Sequence, residues 1–453
     1  MKKFKKSLAI FLTLAMITGL TACNNGGTDS SDTTSGEVSQ NSSVNSEEPT
    51  EIVFFAVSET LDENQMAEQW AKFEEENNCK ISVQFTTASD FKQQYSTLVA
   101  SGAPLDAMGI NIQDIRYLHD SDAVFPLNDY IDINEEDFVE GALGAATWGE
   151  DIFAIPYGSF YTSMGLYYNE KLFNELNLEV PKTFEELYAV SDAAREKGYY
   201  ALTFEGGNLY NWPVWYMLTL GQLVDGDGVG YTEEILKGNA KFTDETSVKA
   251  MQALRDLGDH NVWNDGFLGT TEQSAAQALF TSGQALMYCT GSWNLTNMKA
   301  VLGDDLNVTT FPLIDESCTL STQCAKNCPS ICGYTGADES KKQLIADFAA
   351  FISGAEYQEK VLTERCKGDL SSSYDIPVLK EVKGNDSPIL NTIKEEFLPI
   401  GQDFLDWYWP PEVNAEFQTQ IQAVVSGETT PEEAMEAIQG VYDKLVSEGY
   451  EFI

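Results

Sequence analysis

Apolar residues recur along the chain with two different periods, and these periods predict strands that alternate with helices. Residues 51–57 form a nearly continuous apolar run, which is typical of a buried strand. Met66, Trp70 and Phe73 follow at helical spacing, and residues 80–85 then alternate as a half-buried strand does. A helix and a short strand come next. This order predicts an α/β lobe with a mainly parallel sheet.

The same order returns later in the chain, without any repeated sequence. Predicted strands at 165–169, 199–204 and 285–289 are interleaved with predicted helices at 183–197, 272–281 and 341–353. Two helix starts carry capping signals, one at Thr183 with Glu186 and one at Thr430 with Pro431 and Glu433. The α/β pattern therefore continues through most of the chain.

The N-terminal residues 1–22 predict a secretory signal sequence. Lysines at 2, 3, 5 and 6 precede an apolar run from Leu8 to Leu20, which is too short for a membrane span and is followed by polar chain. The Leu-Thr-Ala-Cys that ends at Cys23 resembles the lipobox of bacterial lipoproteins, in which the cysteine is lipidated. The alternative is an ordinary secretory signal with an incidental cysteine. We expect Cys23 to anchor the protein outside the cytoplasmic membrane.

The chain after the signal sequence has two parts of different composition. Residues 23–50 are rich in Ser, Thr, Asn and acidic residues and have almost no apolar ones, so they predict a disordered tether. About 400 residues follow, which is more than one hydrophobic core usually supports. We therefore expect two lobes.

The chain is strongly acidic, with a formal net charge of -44. Nucleic acid and anionic lipid headgroups need clustered Lys and Arg, so this charge argues against both as partners. Seven cysteines lie beyond Cys23, four of them between 318 and 332, in a spacing that fits no familiar zinc or iron–sulfur pattern. Disulfides are compatible with an extracellular location, and at least one of seven thiols then stays unpaired within the chain. We predict no metal and no cofactor.

Three sequence blocks carry a resemblance to a known family. They are 168–173 (Tyr-Asn-Glu-Lys-Leu-Phe) with 180–187 (Val-Pro-Lys-Thr-Phe-Glu-Glu-Leu), 280–287 with Gly291-Ser292-Trp293, and 421–427 with 430–434. In order and spacing they resemble the extracellular solute-binding proteins of carbohydrate ABC transporters, the group that includes maltose-binding protein. Residues 126–128 and 154–157 add weaker similarity. The cysteines of 318–332 depart from the family, which usually has a Gly-rich segment there.

The resemblance implies a two-lobed periplasmic-binding-protein-like α/β fold, with hinge strands and a ligand cleft between the lobes. The predicted lobe 1 comprises 51–130 plus 333–368, and lobe 2 comprises 131–332 plus 369–453. Crossings between lobes are expected near 129–138, 331–333 and 366–370. Cys332 and Cys366 then fall on two hinge segments, so a bridge between them is one hypothesis, and two buried thiols are the other. The implied partners are a sugar or oligosaccharide and the subunits of a permease.

A sugar site needs flat aromatic rings and fixed polar groups beyond the carboxyl ends of strands. Trp293 follows a predicted strand and matches the family's cleft tryptophan. The other predicted ligand-binding residues are Glu205 with Tyr210, Trp212 and Trp215; Asp406, Trp407, Trp409 and Glu412; Tyr157; and, in loops of the first lobe, Glu59 and Asn111, near Ser58 and Gln113. Core packing is the alternative for Trp215, an apolar plug between lobes for 406–412, and hinge packing for Tyr157.

Two other functions remain open at this point. A glycosidase needs two suitably placed carboxylates, but no local motif singles out a pair among 71 acidic residues, and we predict no catalytic residues. With only two histidines, a histidine-based metal site is poorly supported. The same fold binding a peptide or polyamine is the second alternative. The aromatic residues and the resemblance favour a sugar.

Overall fold

The computed structural model describes residues 48–450, except 59, 60, 62, 89, 163, 319–325, 366–372 and 402. The predicted signal sequence, the lipidation site at Cys23 and most of the predicted tether lie outside the described residues. So do Glu59 and Cys366.

Strands and helices alternate along the described chain, as the apolar periods predict. Its strands are β1 Thr50–Val57, β2 Cys79–Thr86, β3 Ala107–Asn111, β4 Val124–Phe125, β5 Thr147–Trp148, β6 Asp151–Ile152, β7 Ala154–Pro156, β8 Ser159–Thr162, β9 Gly165–Asn169, β10 Tyr200–Thr203, β11 Ala285–Thr290, β12 Leu306–Thr309, β13 Lys326–Asn327, β14 Pro329–Tyr334 and β15 Ile376–Pro377. Its helices are α1 Glu63–Asn77, α2 Phe91–Ser101, α3 Ile115–Asp120, α4 Glu170–Leu176, α5 Phe184–Glu196, α6 Asn211–Leu223, α7 Gly228–Leu236, α8 Glu245–Asp259, α9 Gln273–Thr281, α10 Leu295–Leu302, α11 Lys342–Ser353, α12 Ala355–Arg365, α13 Pro388–Thr392, α14 Pro411–Ser426 and α15 Pro431–Ser447.

The first lobe is built on a sheet of order β2-β1-β3-β14-β4, with β7 also paired to β14. β1 runs parallel to β2 and β3, which confirms the parallel arrangement predicted for the N-terminal strands. β14 is antiparallel to β3, β4 and β7. Every side chain from 52 to 57 is buried, as expected for a central strand of a sheet that is covered on both faces.

The second lobe is built on a separate sheet of order β10-β11-β9-β12. β10 and β11 are parallel, while β9 lies antiparallel between β11 and β12. β11 is buried along its whole length and ends at Thr290, so the residues that follow it emerge at the edge of this sheet. The short turn at 292–294 that contains Trp293 begins there.

A three-stranded sheet of order β13-β8-β15 connects the two lobes. β8 lies between β7 of the first sheet and β9 of the second, and β13 lies between β12 and β14, so the chain crosses once between β7 and β9 and again between β12 and β14. The sequence placed these crossings near 129–138 and 331–333, and it assigned 154–156 and 329–332 to lobe 2. Those two segments pair with each other in the first sheet instead, with Ile155 opposite Ile331. The third predicted crossing falls on residues outside the described part of the chain.

Two hydrophobic cores support these sheets. The first is centred on β1, β3 and β14 and extends across to Phe280 and Tyr288 of the second lobe. The second is formed by the other face of the second sheet with α5, α6, α8, α14 and α15. No helix of the described residues combines the length and apolar character that crossing a bilayer requires.

The two predicted helix caps form in different ways. Thr430 accepts a hydrogen bond from the backbone N–H of Glu433, and Glu433 accepts one in return from the backbone N–H of Thr430, so the capping box of α15 is complete. Thr183 accepts from the N–H of Glu186, but the Glu186 carboxylate accepts from the N–H of Lys182 at 2.6 Å. In the α5 cap, the N–H that donates to the glutamate carboxylate therefore belongs to Lys182, the residue before the N-cap, rather than to Thr183 itself.

Replacing Thr430 by alanine is expected to lower the free energy of unfolding by about 1 kcal/mol, because the N–H of Glu433 loses its acceptor at the start of α15. Urea denaturation of the folded domain measures the change. Ser447→Ala, at the exposed end of the same helix, is the matched control and should change the stability by less than about 0.5 kcal/mol. Equal effects of the two substitutions would contradict the cap as the cause.

The described cysteines are thiols rather than disulfides: Cys79, Cys289, Cys318, Cys328 and Cys332 are all free. Cys332 is buried in β14, where its Sγ donates to the carbonyl oxygen of Met108 at 3.7 Å. Burial raises the pKa of the Cys328 thiol to about 12, and also that of Cys332, so neither is readily ionised. Because Cys366 is not among the described residues, its relation to Cys332 stays a hypothesis.

Candidate ligand-binding cleft

A cavity of about 540 Å³ opens between the two lobes. Its first-lobe wall comes from the start of α2 and from the turn and helix after β3, and its second-lobe wall from residues 406–411 and the first turns of α14. The lining side chains include Lys92, Gln113, Arg116 and Tyr117 on one side and Asp406, Trp407, Tyr408, Trp409, Asn414 and Gln418 on the other.

Two prolines shape the second-lobe wall. Pro410 is extended, and Pro411 occupies the first position of α14, where its missing N–H costs nothing. The helix therefore cannot extend back into the aromatic segment before it. Residues 405–407 form a single 3-10 turn instead, which places successive aromatic side chains at the cleft.

The aromatic side chains of this segment have different surroundings. Trp409 stacks on Phe417 with ring centroids 3.9 Å apart and is only 5 % exposed, so it is mainly part of the second core. Trp407 is half-buried and packs against both hydrophobic cores, with Phe404 at 5.1 Å. Across the cleft, the Arg116 guanidinium lies 4.6 Å from the centre of the Tyr408 ring, which is a contact between the lobes.

Several buried polar atoms at the cleft have no hydrogen-bond partner among the described residues. They are acceptors on Gln113 (Oε1), Asp114 (Oδ2) and Asp406 (Oδ1), and ring N–H donors on Trp407 and Trp409. Buried polar groups are nearly always paired, because leaving one unsatisfied costs about 1–3 kcal/mol. These donors and acceptors come from both lobes, on side chains in or next to the walls of the cavity.

Burial also changes the ionisation of the two carboxyl groups. It raises the pKa of Asp114 to about 6, and although the Lys92 ammonium opposes this shift, the charge of Asp406 adds to it. Burial likewise raises the pKa of Asp406 to about 6, against the effects of Lys92 and of an amide hydrogen bond from Asn414. The hydroxyl of Tyr210 lies in the field of both carboxylates, which with burial raises its own pKa.

A second, narrow cavity lies in the second lobe, between Glu205 and Trp293. Glu205 is 2 % exposed and accepts hydrogen bonds from Asn211 at 3.1 Å and from the hydroxyl of Tyr288 at 2.9 Å. Burial raises its pKa in spite of these bonds. Trp293 is half-buried, and its ring N–H donates to Gln273 at 3.2 Å.

Most of the chain matches one known protein family in sequence. Residues 68–387 match the family described as bacterial extracellular solute-binding proteins. The chain belongs to this family.

Solved solute-binding proteins share its fold. A chitin oligosaccharide binding protein is 21 % identical, with a TM-score of 0.72, and the match covers 88 % of this chain and 99 % of that one. A protein of xylan utilisation in Caldanaerobius polysaccharolyticus is 18 % identical, with a TM-score of 0.71 over 86 % and 99 % of the two chains. A maltose-bound protein from T. maritima is 16 % identical, with a TM-score of 0.66 over 87 % and 100 %. The two-lobed fold predicted from the sequence is confirmed.

In this solute-binding protein, the predicted ligand residues separate into three groups. Asp406, Trp407 and Trp409 line the large interlobe cavity, and Glu205, Tyr210, Trp215 and Trp293 line the narrow one. The remaining predicted residues line neither cavity: Trp212 and Tyr157 are buried in the cores, Glu412 is exposed on the first turn of α14, and Asn111 ends β3.

The cationic first-lobe wall formed by Lys92 and Arg116, together with Asp114 behind it, was not predicted from the sequence. These residues lie within two turns of the carboxyl ends of β2 and β3, where ligands of open α/β sheets gather. Searching two helical turns beyond each strand would have found them, whereas the residues considered after the first-lobe strands were only Ser58, Glu59, Asn111 and Gln113. Among the described residues, no three His, Cys, Asp or Glu side chains converge as a metal site.

Proposed function

We propose that the protein captures a sugar or oligosaccharide outside the cell and delivers it to the permease of an ABC importer. The observation that carries this proposal is the interlobe cavity, which is lined by aromatic and polar side chains from both lobes. Saccharides combine apolar C–H faces with a rim of hydroxyls, so they suit a site that pairs rings with fixed donors and acceptors.

The structural neighbours support a saccharide over other solutes. Those whose descriptions name a ligand include proteins for chitin oligosaccharide, maltose and cycloalternan. A peptide or polyamine is the alternative for this fold. A saccharide fits the tryptophan donors better, because an indole N–H donates to a hydroxyl oxygen but finds no acceptor on a polyamine.

The proposal includes the membrane anchor. Lipidation of Cys23 would hold the binding lobes beside the membrane, where a flexible tether raises their effective concentration near the permease. Mass spectrometry of the membrane-bound protein tests this part separately: a diacylated or triacylated N-terminal Cys23 is expected, and a soluble, unmodified mature chain would contradict it.

Tryptophan fluorescence and calorimetry against a saccharide panel test the central proposal. We expect saturable binding of at least one saccharide, with the saccharide recovered unchanged afterwards, since we propose binding without catalysis. Binding of a peptide or polyamine with no response to any saccharide would contradict the proposal. Cleaved saccharide, lost on substitution of one cleft carboxylate, would instead indicate an enzyme.

Trp293→Ala is expected to weaken saccharide binding about tenfold, because the half-buried ring at the end of β11 offers a flat face beside Glu205. Calorimetry with the best saccharide of the panel measures the loss. Val301→Ala, an exposed apolar residue of the neighbouring helix α10, is a suitable control. An unchanged affinity of the Trp293 variant would remove this residue from the ligand contacts.

A further inference from the structure

The six-membered ring of Trp293 lies directly over the backbone of Gly291. A Cβ atom added at Gly291 would lie 2.0 Å from Cζ3 of Trp293 and 2.2 Å from each of the adjacent ring atoms, Cε3 and Cη2. These nearly equal distances to three consecutive atoms place the Cβ position against the face of the ring rather than beyond its edge. One face is therefore covered by main chain, and only a residue without a side chain fits beneath it.

The close approach of the ring, and not the backbone conformation, requires glycine at this position. Gly291 has a φ of -83° and a ψ of 159°, which is extended backbone that any residue adopts. It is buried between Thr290, the last residue of β11, and the 3-10 turn Ser292–Asn294. Because the chain turns here, the Trp293 ring packs back over the residue two positions before it. The absence of a side chain at Gly291 thus allows this orientation of the ring.

A hydrogen bond fixes the other part of the indole, its N–H group. The N–H of Trp293 donates to Oε1 of Gln273 at 3.2 Å, and Gln273 is the first residue of α9. Since an indole nitrogen only donates, the amide oxygen of Gln273 must face it. The amide NH2 of Gln273 forms a hydrogen bond with Glu205, which is 2 % exposed. Turning the amide over would therefore break both bonds.

The turn that carries Trp293 is also attached to β8, a strand of the sheet that connects the lobes. The backbone N–H of Thr162 donates to the Ser292 hydroxyl at 3.1 Å, in a buried position. The rings of Tyr161 and Trp293 are nearly perpendicular, at 83°, with their centroids 6.3 Å apart. All the contacts that orient the Trp293 ring thus come from the protein itself.

Building on the proposed saccharide function, we infer that Gly291 and Gln273 are positioning residues, which hold the Trp293 ring in the orientation on which a sugar ring stacks. Because Gln273 already accepts from the ring N–H, Trp293 offers the ligand a stacking surface and no hydrogen-bond donor. A ring that is fixed before binding loses little side-chain freedom when the ligand arrives, which favours affinity. The two residues therefore contribute to binding without touching the saccharide.

Hydrogen exchange of the indole N–H tests the positioning without any ligand. In spectra of the 15N-labelled protein, the Trp293 indole signal is identified by its absence from Trp293→Phe. In Gln273→Ala this proton should exchange at least about tenfold faster than in the unsubstituted protein, because it has lost its acceptor. Gln277→Ala, four residues further along α9 and outside both cavities, is the matched control and should leave the rate unchanged. An unchanged rate in Gln273→Ala overturns the role of Gln273.

Calorimetry then measures the effect on binding. The probe is the tightest binder among maltotetraose, cellotetraose, xylotetraose and chitotetraose. Gly291→Ala should weaken binding about tenfold, because its Cβ displaces the ring, and Gln273→Ala should weaken it about threefold. In a Trp293→Ala background each substitution should change the affinity by less than about twofold, since a positioning residue acts only through the ring. Losses that persist in that background indicate direct contacts with the ligand and overturn the inference.

Two further variants complete the test. Gly269→Ala adds the same methyl group at an exposed glycine with open space around it, so it should leave the affinity unchanged. Trp293→Phe keeps an aromatic face and has no N–H, so it should lose less affinity than Trp293→Ala, about threefold at most. An equal loss in these two Trp293 variants overturns the assignment of stacking without donation.

The outcomes for the inference and for the proposed function are separate. Thermal melts show which variants fold, and if Gly291→Ala does not, the Gln273→Ala comparison decides. Normal saccharide binding by Trp293→Ala overturns the inference and leaves the proposed function standing. If the full saccharide panel gives no binding at all, the proposed function is overturned and the inference falls with it.

Discussion

Replacing Trp407 by alanine is expected to lower saccharide affinity about a hundredfold, which corresponds to about 2.7 kcal/mol. The ring lines the interlobe cavity, its buried N–H has no partner among the described residues, and it packs against both hydrophobic cores. The substitution therefore removes a stacking surface and a donor, together with packing against both hydrophobic cores. Calorimetry with the best saccharide of the panel measures the effect.

Two further variants separate these contributions. Trp407→Phe keeps a ring and removes the N–H, so it should lose about tenfold in affinity if the donor contacts a sugar hydroxyl. Trp148→Ala removes a half-buried tryptophan that stacks on His119 at 3.9 Å in the first lobe, outside both cavities, and serves as the control. If Trp407→Ala and Trp148→Ala weaken binding equally, then Trp407 acts only through general stability.

Trp212→Ala is expected to lower the free energy of unfolding by about 3–5 kcal/mol and to leave the affinity of the folded molecules nearly unchanged. Trp212 is completely buried between the rings of Phe204, Trp263 and Phe267. Its removal opens a cavity that the surrounding aromatic rings cannot close. Urea denaturation measures the stability, and calorimetry below the unfolding transition measures binding.

The matched variant is Trp212→Phe, which fills most of the space but cannot donate to Gly206. The carbonyl oxygen of Gly206 also accepts from the Gln422 amide at 2.7 Å, so it keeps a partner in the variant. The loss of stability should therefore be less than half of that for alanine. A large loss of affinity in Trp212→Phe with normal stability would instead return this residue to the ligand contacts, as the sequence analysis predicted.

Local features of the structure were predictable because their causes are local. The strand at 51–57 and the helix starts at Thr183 and Thr430 all depend on side chains within a few residues of each other. The family blocks were recognisable for the same reason, since each is a short run in one element. The first crossing between lobes was placed too early and the second too late, because strand pairing between β7 and β14 joins segments that are far apart in the sequence.

The sequence did not determine which aromatic residues face the cleft. Trp212, Trp215 and Trp407 all lie in aromatic segments next to predicted loops. From the sequence alone, each of them suits a sugar site equally well. Trp212 and Trp215 became core because α6 is covered by Trp263, Phe267 and the second sheet. Trp407 lies at the cleft because Pro410 and Pro411 keep α14 from extending back to include it. Whether an aromatic ring faces the core or the cleft depends on packing partners that are distant in the sequence.

The sequence by itself determined the α/β order, the helix caps, the acidic surface and the family of this protein. Each follows from the spacing of residues that are close in the sequence, or from the composition of the chain, which does not depend on how the chain folds. Only the tertiary structure decided that Lys92 and Gln113 of the first lobe would line one cavity with Asp406 and Trp407 of the second. These side chains come together only when both lobes are folded, and the burial that raises the pKa of Asp406 arises only then.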